Sequence, residues 1–438
     1  MFFPTGLQPA LLPVRRAIAA ATASLNGLAL VASVLVMLPV TGVAAIPLTL
    51  AEVEDQVRVA EPGQQALQAK AEALLERGTV ASQLPDPMLR VALNNYPVQS
   101  GNFSTEGMTN VAIGLMQTFP AGKSRSISER RYQWLASEMQ ESAEARGRNV
   151  LAAARQAWLE LYYWEQAYTL VSESRPYFDD LATITRSLYA VGRKNQQDVL
   201  RAELELSRLD DRLIEIERQR ARARAMLGEW IGLEASRPVA PKLPDWNEVP
   251  ALESMREALQ QHPSLRAAEA QIDAQSASVD LANERSKPNW ALDLGYSYRD
   301  GYQPSGESRA DFVSVGVTVG LPFFRRKSID SNLSAALQDK SAAVATREQT
   351  LRGLDSTLAA EYARWNDLAR RLAIYDSRVL ALSSSNAEAS LLAYQSDQGD
   401  FANVMRAYVD DLNTRIDYIR LKVERAQSYA MLANLGGL

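Results

Sequence analysis

The residue types that carry out most metal and nucleophilic chemistry are scarce in this chain. It has one histidine, His262, and no cysteine. Composition therefore excludes thiolate metal sites, disulfides, cysteine nucleophiles and histidine clusters, and it makes histidine-based catalysis improbable. His262 stands in a Gln-His-Pro segment, where we expect a surface loop residue at the entry to a helix. We predict no catalytic residue, no cofactor and no metal site, and hence no enzyme.

Two other residue types offer ligands for cations. The ten methionines provide thioethers, but Met116, Met226 and Met431 fall in apolar patterns, which favours packing in a core or against lipid. Acidic residues are numerous, but in so charged a helical sequence most belong to solvated helix faces. The net charge of −5 and a pI near 5.4 indicate no nucleic-acid partner.

The first 45 residues follow the order of a secretory signal peptide. Arg15-Arg16 precede an apolar run from Ala17 to Val40, which ends in the small residues Gly42-Val43-Ala44-Ala45. We predict a signal peptide over 1–45 and therefore export, with an uncleaved membrane anchor as the alternative. Without a cysteine, lipidation at such a residue is excluded.

The sequence contains an internal duplication, with the second copy about 200 residues downstream of the first. Tyr189–Ala202 aligns without a gap on Tyr394–Ala407, and Met226–Leu233 aligns on Met431–Leu438. Further upstream, Val111–Pro120 matches Val313–Pro322. A repeat of this length indicates a duplicated module rather than a solenoid.

Each copy begins with segments in which apolar and small or polar residues alternate, the pattern of a strand with one apolar face. Strands of about ten residues suit a bilayer crossing. Aromatic residues near the strand ends suit an interfacial girdle: Trp290, Tyr296, Tyr298 and Phe312. The side chains predicted to face lipid are Leu292, Leu294, Val313, Val315 and Val317. Those predicted to face a lumen are Asp293, Ser314, Gly316 and Thr318. A soluble sandwich is the alternative, but so few strands between such long helical segments would form it poorly.

Long helices fill the rest. No proline follows Pro322, so nothing in the sequence interrupts helix after this residue except a few glycines. Gly399 marks the turn between two helices of about 65 and 35 residues. We predict a mainly α-helical, duplicated chain with a transmembrane β part. Its predicted segments are an N-terminal periplasmic helix (46–84), a first β-hairpin (85–120), a first helical hairpin (121–232), a linker with a helix (233–286), a second β-hairpin (287–322) and a second helical hairpin (323–438).

Two β-hairpins supply four strands, which cannot close a barrel. An open sheet edge in lipid leaves backbone groups unpaired at several kcal/mol each. We therefore expect the chain to oligomerise. Three copies would supply twelve strands, an even number within the range of outer-membrane barrels, and the helices would continue the pore as a tube.

In this order of parts the sequence resembles the TolC-like outer membrane channels of tripartite efflux pumps. The resemblance rests on the β-hairpins that end at Phe119-Pro120 and Leu321-Pro322, on the turns in Tyr189–Ala202 and Tyr394–Ala407, and on the duplicated ends. Segments Gln83–Pro97 and Met108–Pro120 resemble the heavy-metal branch, the CzcC-like and CusC-like proteins. The resemblance implies a homotrimer with a twelve-stranded barrel in outer membrane lipid and a periplasmic α-helical barrel. It also implies a periplasmic membrane-fusion adaptor and an inner-membrane RND pump as partners.

The resemblance further implies a ring of acidic residues that closes the pore at the helix turns. Asp198 stands at the acidic position of the first turn, and Asn403 matches it in the second. Arg201 and Arg406 replace a further acidic position, while Asp397 and Asp400 lie just upstream and offer charge instead. The alternative is that Asp198 and Asn403 are N-caps of the returning helices.

We therefore expect a passive export duct for heavy-metal cations in an RND-type system. One alternative is the same duct for small organic compounds. Another, of a different class, is a periplasmic coiled-coil scaffold or adaptor held by an uncleaved N-terminal helix.

Overall fold

The computed structural model describes residues 46–436. The predicted signal peptide, residues 1–45, lies outside the described residues. The described part is mainly helical with one small sheet, and the predicted fold class of duplicated β-hairpins and long helical hairpins is confirmed.

The N-terminal segment forms two helices rather than the single predicted one: α1 (Leu50–Ala60) and α2 (Pro62–Ser82). The Thr49 side chain accepts the Glu52 amide, and Glu52 in turn caps the Thr49 amide. The break falls at Pro62, because proline has no amide hydrogen to continue α1 but suits the first position of a new helix.

Four strands form one antiparallel sheet in the order β1-β2-β3-β4. They are β1 (Met88–Asn94), β2 (Asn110–Phe119), β3 (Asn289–Tyr298) and β4 (Phe312–Gly320). β1 has 7 residues, fewer than the predicted ten or so. Pro85 and Pro87 precede it and cannot donate ladder hydrogen bonds, and Asn95 ends it with a left-handed φ of 52°.

Each β-hairpin leads into a long helical hairpin. The first consists of α3 (Ser124–Ala190) and α4 (Gln196–Ile231). The second consists of α7 (Arg326–Ile374), a π-helical turn (Tyr375–Val379), α8 (Leu380–Gln395) and α9 (Phe401–Gly436). The α4 and α9 seams are buried with α3 in the main core, as coiled-coil spacing predicts. Their buried members include Ala202, Leu206, Leu209, Ile216, Met405, Leu412 and Ile416.

The linker between the halves contains a 3-10 turn (Gly232–Ser236) and then α5 (Leu252–Leu259) and α6 (Pro263–Glu284). A single helix over this last region was expected. It breaks at His262-Pro263 for the same reason as at Pro62. His262 is only 2% exposed, so the expectation of a surface residue was wrong. Its Nδ1 accepts the Ser264 amide at 3.2 Å and caps α6.

Within residues 46–436, no helix combines the length and the apolar character that a membrane span requires.

Candidate functional site

One face of the sheet carries large apolar side chains across all four strands. Strand register places Leu292 opposite Val317 and Leu294 opposite Val315, so these residues share a face. Val313, opposite Tyr296, belongs to the same face and is 78% exposed. The face continues into the first β-hairpin through Leu89, Val91, Leu93, Val111, Ile113 and Leu115. A contiguous exposed apolar surface of this kind marks contact with a membrane or another protein.

The opposite face carries mostly small or polar side chains. Asp293 stands opposite Gly316, and the Thr318 hydroxyl donates to its carboxylate at 3.3 Å. A cavity of about 680 Å³ lies against this face, with Arg90 and Asp293 among its lining residues. Met116 pairs with Asp293 here. The expectation that it belongs to the apolar pattern was therefore wrong, because Val111, Ile113 and Leu115 have the other parity.

Aromatic rings stand near both ends of the apolar face. At one end Phe119 pairs with Trp290, and their rings stack with centroids 4.0 Å apart. At the other end Tyr296 and Tyr298 follow the same parity. Phe312 is of the opposite parity, and its ring lies under the Arg299 guanidinium.

The outer edges of β1 and β4 pair with no strand among the described residues. The ladder hydrogen-bonding groups on these edges are free to pair with another chain.

The two helical hairpins end in turns of the same construction. The Arg193 amide donates to the Leu188 carbonyl at 3.0 Å, and the Gln398 amide donates to the Ala393 carbonyl at 2.9 Å, which is the longer bond of a Schellman motif in each copy. The left-handed residue is Gly192 in the first turn (φ 73°) and Asp397 in the second (φ 59°). Asp is one of the few side-chain-bearing residues that adopts this conformation readily.

A lysine joins the two turns. Lys194 Nζ lies 2.6 Å from Asp397 Oδ1 and 4.5 Å from the centroid of the Tyr394 ring. The pair holds the pKa of Asp397 below its ordinary value and raises that of Lys194. Tyr394 is buried against Phe401, at 5.3 Å between centroids. Sequence reasoning missed Lys194, although its repeat equivalent Gly399 has no side chain and so signals a difference between the turns.

The acidic candidates meet beside this pair. Partial burial, followed by the negative charge of Asp400, raises the pKa of Asp198, against the opposing effects of Lys194 and Arg201. Asp198 is the third residue of α4, whose N-cap is Asn195. Asn403 is likewise the third residue of α9. The alternative that Asp198 and Asn403 are N-caps was therefore wrong.

The two tip arginines differ in exposure. Arg201 is half-buried and Arg406 is exposed, as is Asn403. Neither arginine has an ion-pair partner within residues 46–436. The same part of the chain holds no group of three or more His, Asp or Glu side chains placed to bind a metal ion.

The fold is that of a class of outer-membrane channels. The structure of the outer-membrane channel OprN superposes with a TM-score of 0.75 at 18% identity, over 89% of this chain and 90% of that one. The structure of CusC superposes with a TM-score of 0.74 at 15% identity, over 90% of this chain and 93% of that one. The open state of the MtrE outer membrane channel of Neisseria gonorrhoeae superposes with a TM-score of 0.69 at 16% identity, over 89% of this chain and 88% of that one.

Sequence comparison agrees over part of the chain. Residues 255–437 match the model of the family described as outer membrane efflux protein. Protein CyaE of Bordetella pertussis is 26% identical over an alignment of 316 residues that covers 69% of this chain. The match spans 65% of the length of that relative.

Proposed function

We propose that this chain is the outer membrane channel subunit of a tripartite, RND-type efflux system. The observation that carries the proposal is the apolar face of the sheet, which is exposed in the isolated chain and is interrupted only by Gln117. A soluble protein would leave such a surface in water, whereas a bilayer buries it at no cost to the backbone once the sheet is closed. Leu292, Leu294, Val313, Val315 and Val317 then face lipid.

Closure requires further copies. The free edges of β1 and β4 lie at opposite sides of the sheet, so β4 of one chain pairs with β1 of the next. Three chains give a twelve-stranded barrel, and the helical hairpins extend the pore into the periplasm. A membrane-fusion adaptor and an inner-membrane pump then supply the energy, because the channel itself performs no reaction.

The cargo proposed is heavy-metal cations. Support comes from the resemblance of segments 83–97 and 108–120 to the CzcC-like and CusC-like branch, and from the Asp293 carboxylate on the proposed lumen face of the sheet. Small organic compounds are the second candidate. A deletion strain tested against a panel of metal salts and antibiotics separates them: selective sensitivity to metals supports the first, and selective sensitivity to drugs supports the second.

The tip is the proposed gate. Asp198, Asp397 and Asp400 would each contribute three carboxylates in a trimer, and such rings attract cations to an entrance. Arg201 and Arg406 have no partner within the described part of their own chain. We propose that they pair with carboxylates of a neighbouring subunit, while Asn403 supplies a neutral position in the ring.

The channel assignment is tested by fractionation and conductance. We expect the protein in the outer membrane fraction, as a trimer by native mass spectrometry, with discrete conductance steps in planar bilayers. A monomer in the soluble periplasmic fraction without conductance would instead favour the scaffold alternative.

A further inference from the structure

An exposed aromatic turn follows the end of β4. The Arg325 amide donates to the Pro322 carbonyl at 3.2 Å, which closes a turn with Phe323 and Phe324 at its centre. The Phe323 side chain is 74% exposed and Phe324 is 102% exposed. Leu321, just before the turn, is 58% exposed. Two adjacent phenylalanines in water are costly, because each offers 150–250 Å² of apolar area for burial.

Three cations follow the aromatic pair without interruption. Arg325, Arg326 and Lys327 are all exposed, and no side chain within residues 46–436 forms an ion pair or side-chain hydrogen bond with them. Asp330, one helical turn further on, is exposed as well and pairs with none of them. The segment therefore presents apolar rings beside a concentrated positive charge.

The first copy lacks the aromatic pair and has two cations, Lys123 and Arg125, where the second copy has three. Pro120 aligns on Pro322, so Ala121, Gly122 and Lys123 occupy the places of Phe323, Phe324 and Arg325. In the first copy the Lys123 amide donates to Glu284 at 2.6 Å, and Lys287 Nζ lies 2.6 Å from the same carboxylate. The first of these bonds uses the backbone of Lys123. A cationic side chain of the first copy that does have a partner is Arg125, the counterpart of Lys327, which donates to the Ser82 carbonyl at 3.0 Å.

The turn continues the apolar face of the sheet. Val319 pairs with Trp290, which in turn pairs with Phe119, so the last row of that face is largely aromatic. Phe323 and Phe324 come directly after this row along the chain, and the cations come after them. Membrane proteins show the same order at a bilayer interface: aromatic rings lie at the edge of the hydrocarbon, and Arg and Lys lie beyond them at the level of the headgroups.

We propose that the segment 321–327 is a binding site for anionic phospholipid headgroups, one in each subunit. The proposal rests on the membrane location given under the proposed function. Phe323 and Phe324 enter the interface at the periplasmic rim of the barrel. Arg325 and Arg326 each donate two parallel N–H hydrogen bonds to phosphate oxygens, and Lys327 adds a point charge.

The test counts lipids that stay bound to the trimer. Wild-type protein in nanodiscs of mixed phosphatidylglycerol and phosphatidylethanolamine is released into the mass spectrometer, and the retained lipids are counted. We expect preferential retention of phosphatidylglycerol. The triple variant Arg325→Gln, Arg326→Gln, Lys327→Gln should reduce that preference on the order of a hundredfold.

A matched control removes the same charge elsewhere. Lys70→Gln, Arg222→Gln and Arg378→Gln together change exposed cations without ion-pair partners within residues 46–436, and they should keep the wild-type preference. Equal loss in both triple variants, or no loss in the first, overturns the proposal. Inorganic phosphate at millimolar concentration should not displace the lipid, and displacement would assign the site to free anions instead.

A further variant, Phe323→Ala with Phe324→Ala, distinguishes contact of the aromatic turn with lipid from contact with a neighbouring subunit. We expect trimers in normal yield with fewer retained lipids. Loss of trimers with unchanged lipid preference would assign the turn to the subunit interface and overturn the proposal.

A wild-type protein that neither inserts nor conducts would overturn the proposed function together with this inference. A conducting protein without charge-dependent lipid retention would overturn the inference alone.

Discussion

At the residue scale, His262 is a buried helix cap in a region of positive charge. Burial, followed by the cations Arg148 and Arg266, lowers the pKa of its imidazole. Protonation is then more favourable in the unfolded chain, so folding stability is complete above the ordinary pKa of about 6.5 and falls as the pH drops through the lower folded value. We expect the melting temperature in detergent to decrease between pH 7.5 and pH 5.

The variant His262→Asn isolates this effect. Asparagine retains an oxygen that caps a helix but does not titrate. The variant should melt lower than the wild type at pH 7.5, because the ring packing is lost, yet it should show a smaller decrease toward pH 5. Parallel decreases in the two proteins would assign the acid sensitivity to carboxylates.

Gly122 sits where a side chain has no room. Its φ is +48°, and an added Cβ would overlap the Glu284 carboxylate and approach the Lys287 side chain to 2.7 Å. We predict that Gly122→Ala lowers the stability of the junction between β2 and α3 by about 1–3 kcal/mol through overpacking, beyond the cost of the backbone conformation.

Gly101→Ala is the matched control for Gly122→Ala. Gly101 has a φ of +58° but no atom within 4 Å of the added Cβ, so it reports backbone strain alone. Thermal unfolding of both variants measures the difference, and equal shifts would show that Glu284 moves aside freely.

At the element scale, alternate residues of each strand lie on opposite faces of the sheet, one apolar and one mostly polar. Val315 lies on the exposed apolar face and Thr318 lies on the opposite face beside Asp293. If the apolar face contacts lipid, Val315→Arg should cost about 2–4 kcal/mol near the bilayer midplane, and Thr318→Arg should cost much less. The yield of folded trimer in the outer membrane measures this, and comparable defects in the two variants would contradict the proposed lipid face.

At the scale of the whole molecule, the tip turns are a contact between the two copies of the duplicated module. Lys194 and Asp397 hold the turns of one chain together, while Arg201 and Arg406 have no ion-pair partner within residues 46–436. We predict that Arg201→Glu combined with Arg406→Glu leaves trimers intact, because neither arginine side chain is buried in the core. Repulsion between the tips should raise single-channel conductance and sensitise cells to large antibiotics.

Planar bilayers and trimer yield together test this gate. Each intersubunit ion pair at such a solvated site contributes only ~0.2–1 kcal/mol, so the double variant is required. Arg208→Glu with Arg415→Glu, away from the turns, serves as a control of equal charge change. Normal trimer yield with unchanged conductance in the tip variant would remove the gate assignment.

The sequence alone determines the features that repeat along the chain. Period-two alternation in Trp290–Tyr298 and Val313–Leu321 fixes which residues share a face, because successive side chains of a strand point to opposite sides. The alignment of Tyr189–Ala202 on Tyr394–Ala407 likewise locates both helix turns, because the two copies of a duplicated module turn at equivalent positions.

Only the tertiary structure decides what depends on packing between segments distant along the chain. The pairing of Lys194 with Asp397, the approach of Asp400 to Asp198 and the burial of His262 each join elements that no local pattern relates. Such contacts depend on how helices and strands pack against one another, and this single sequence records no pairing between them.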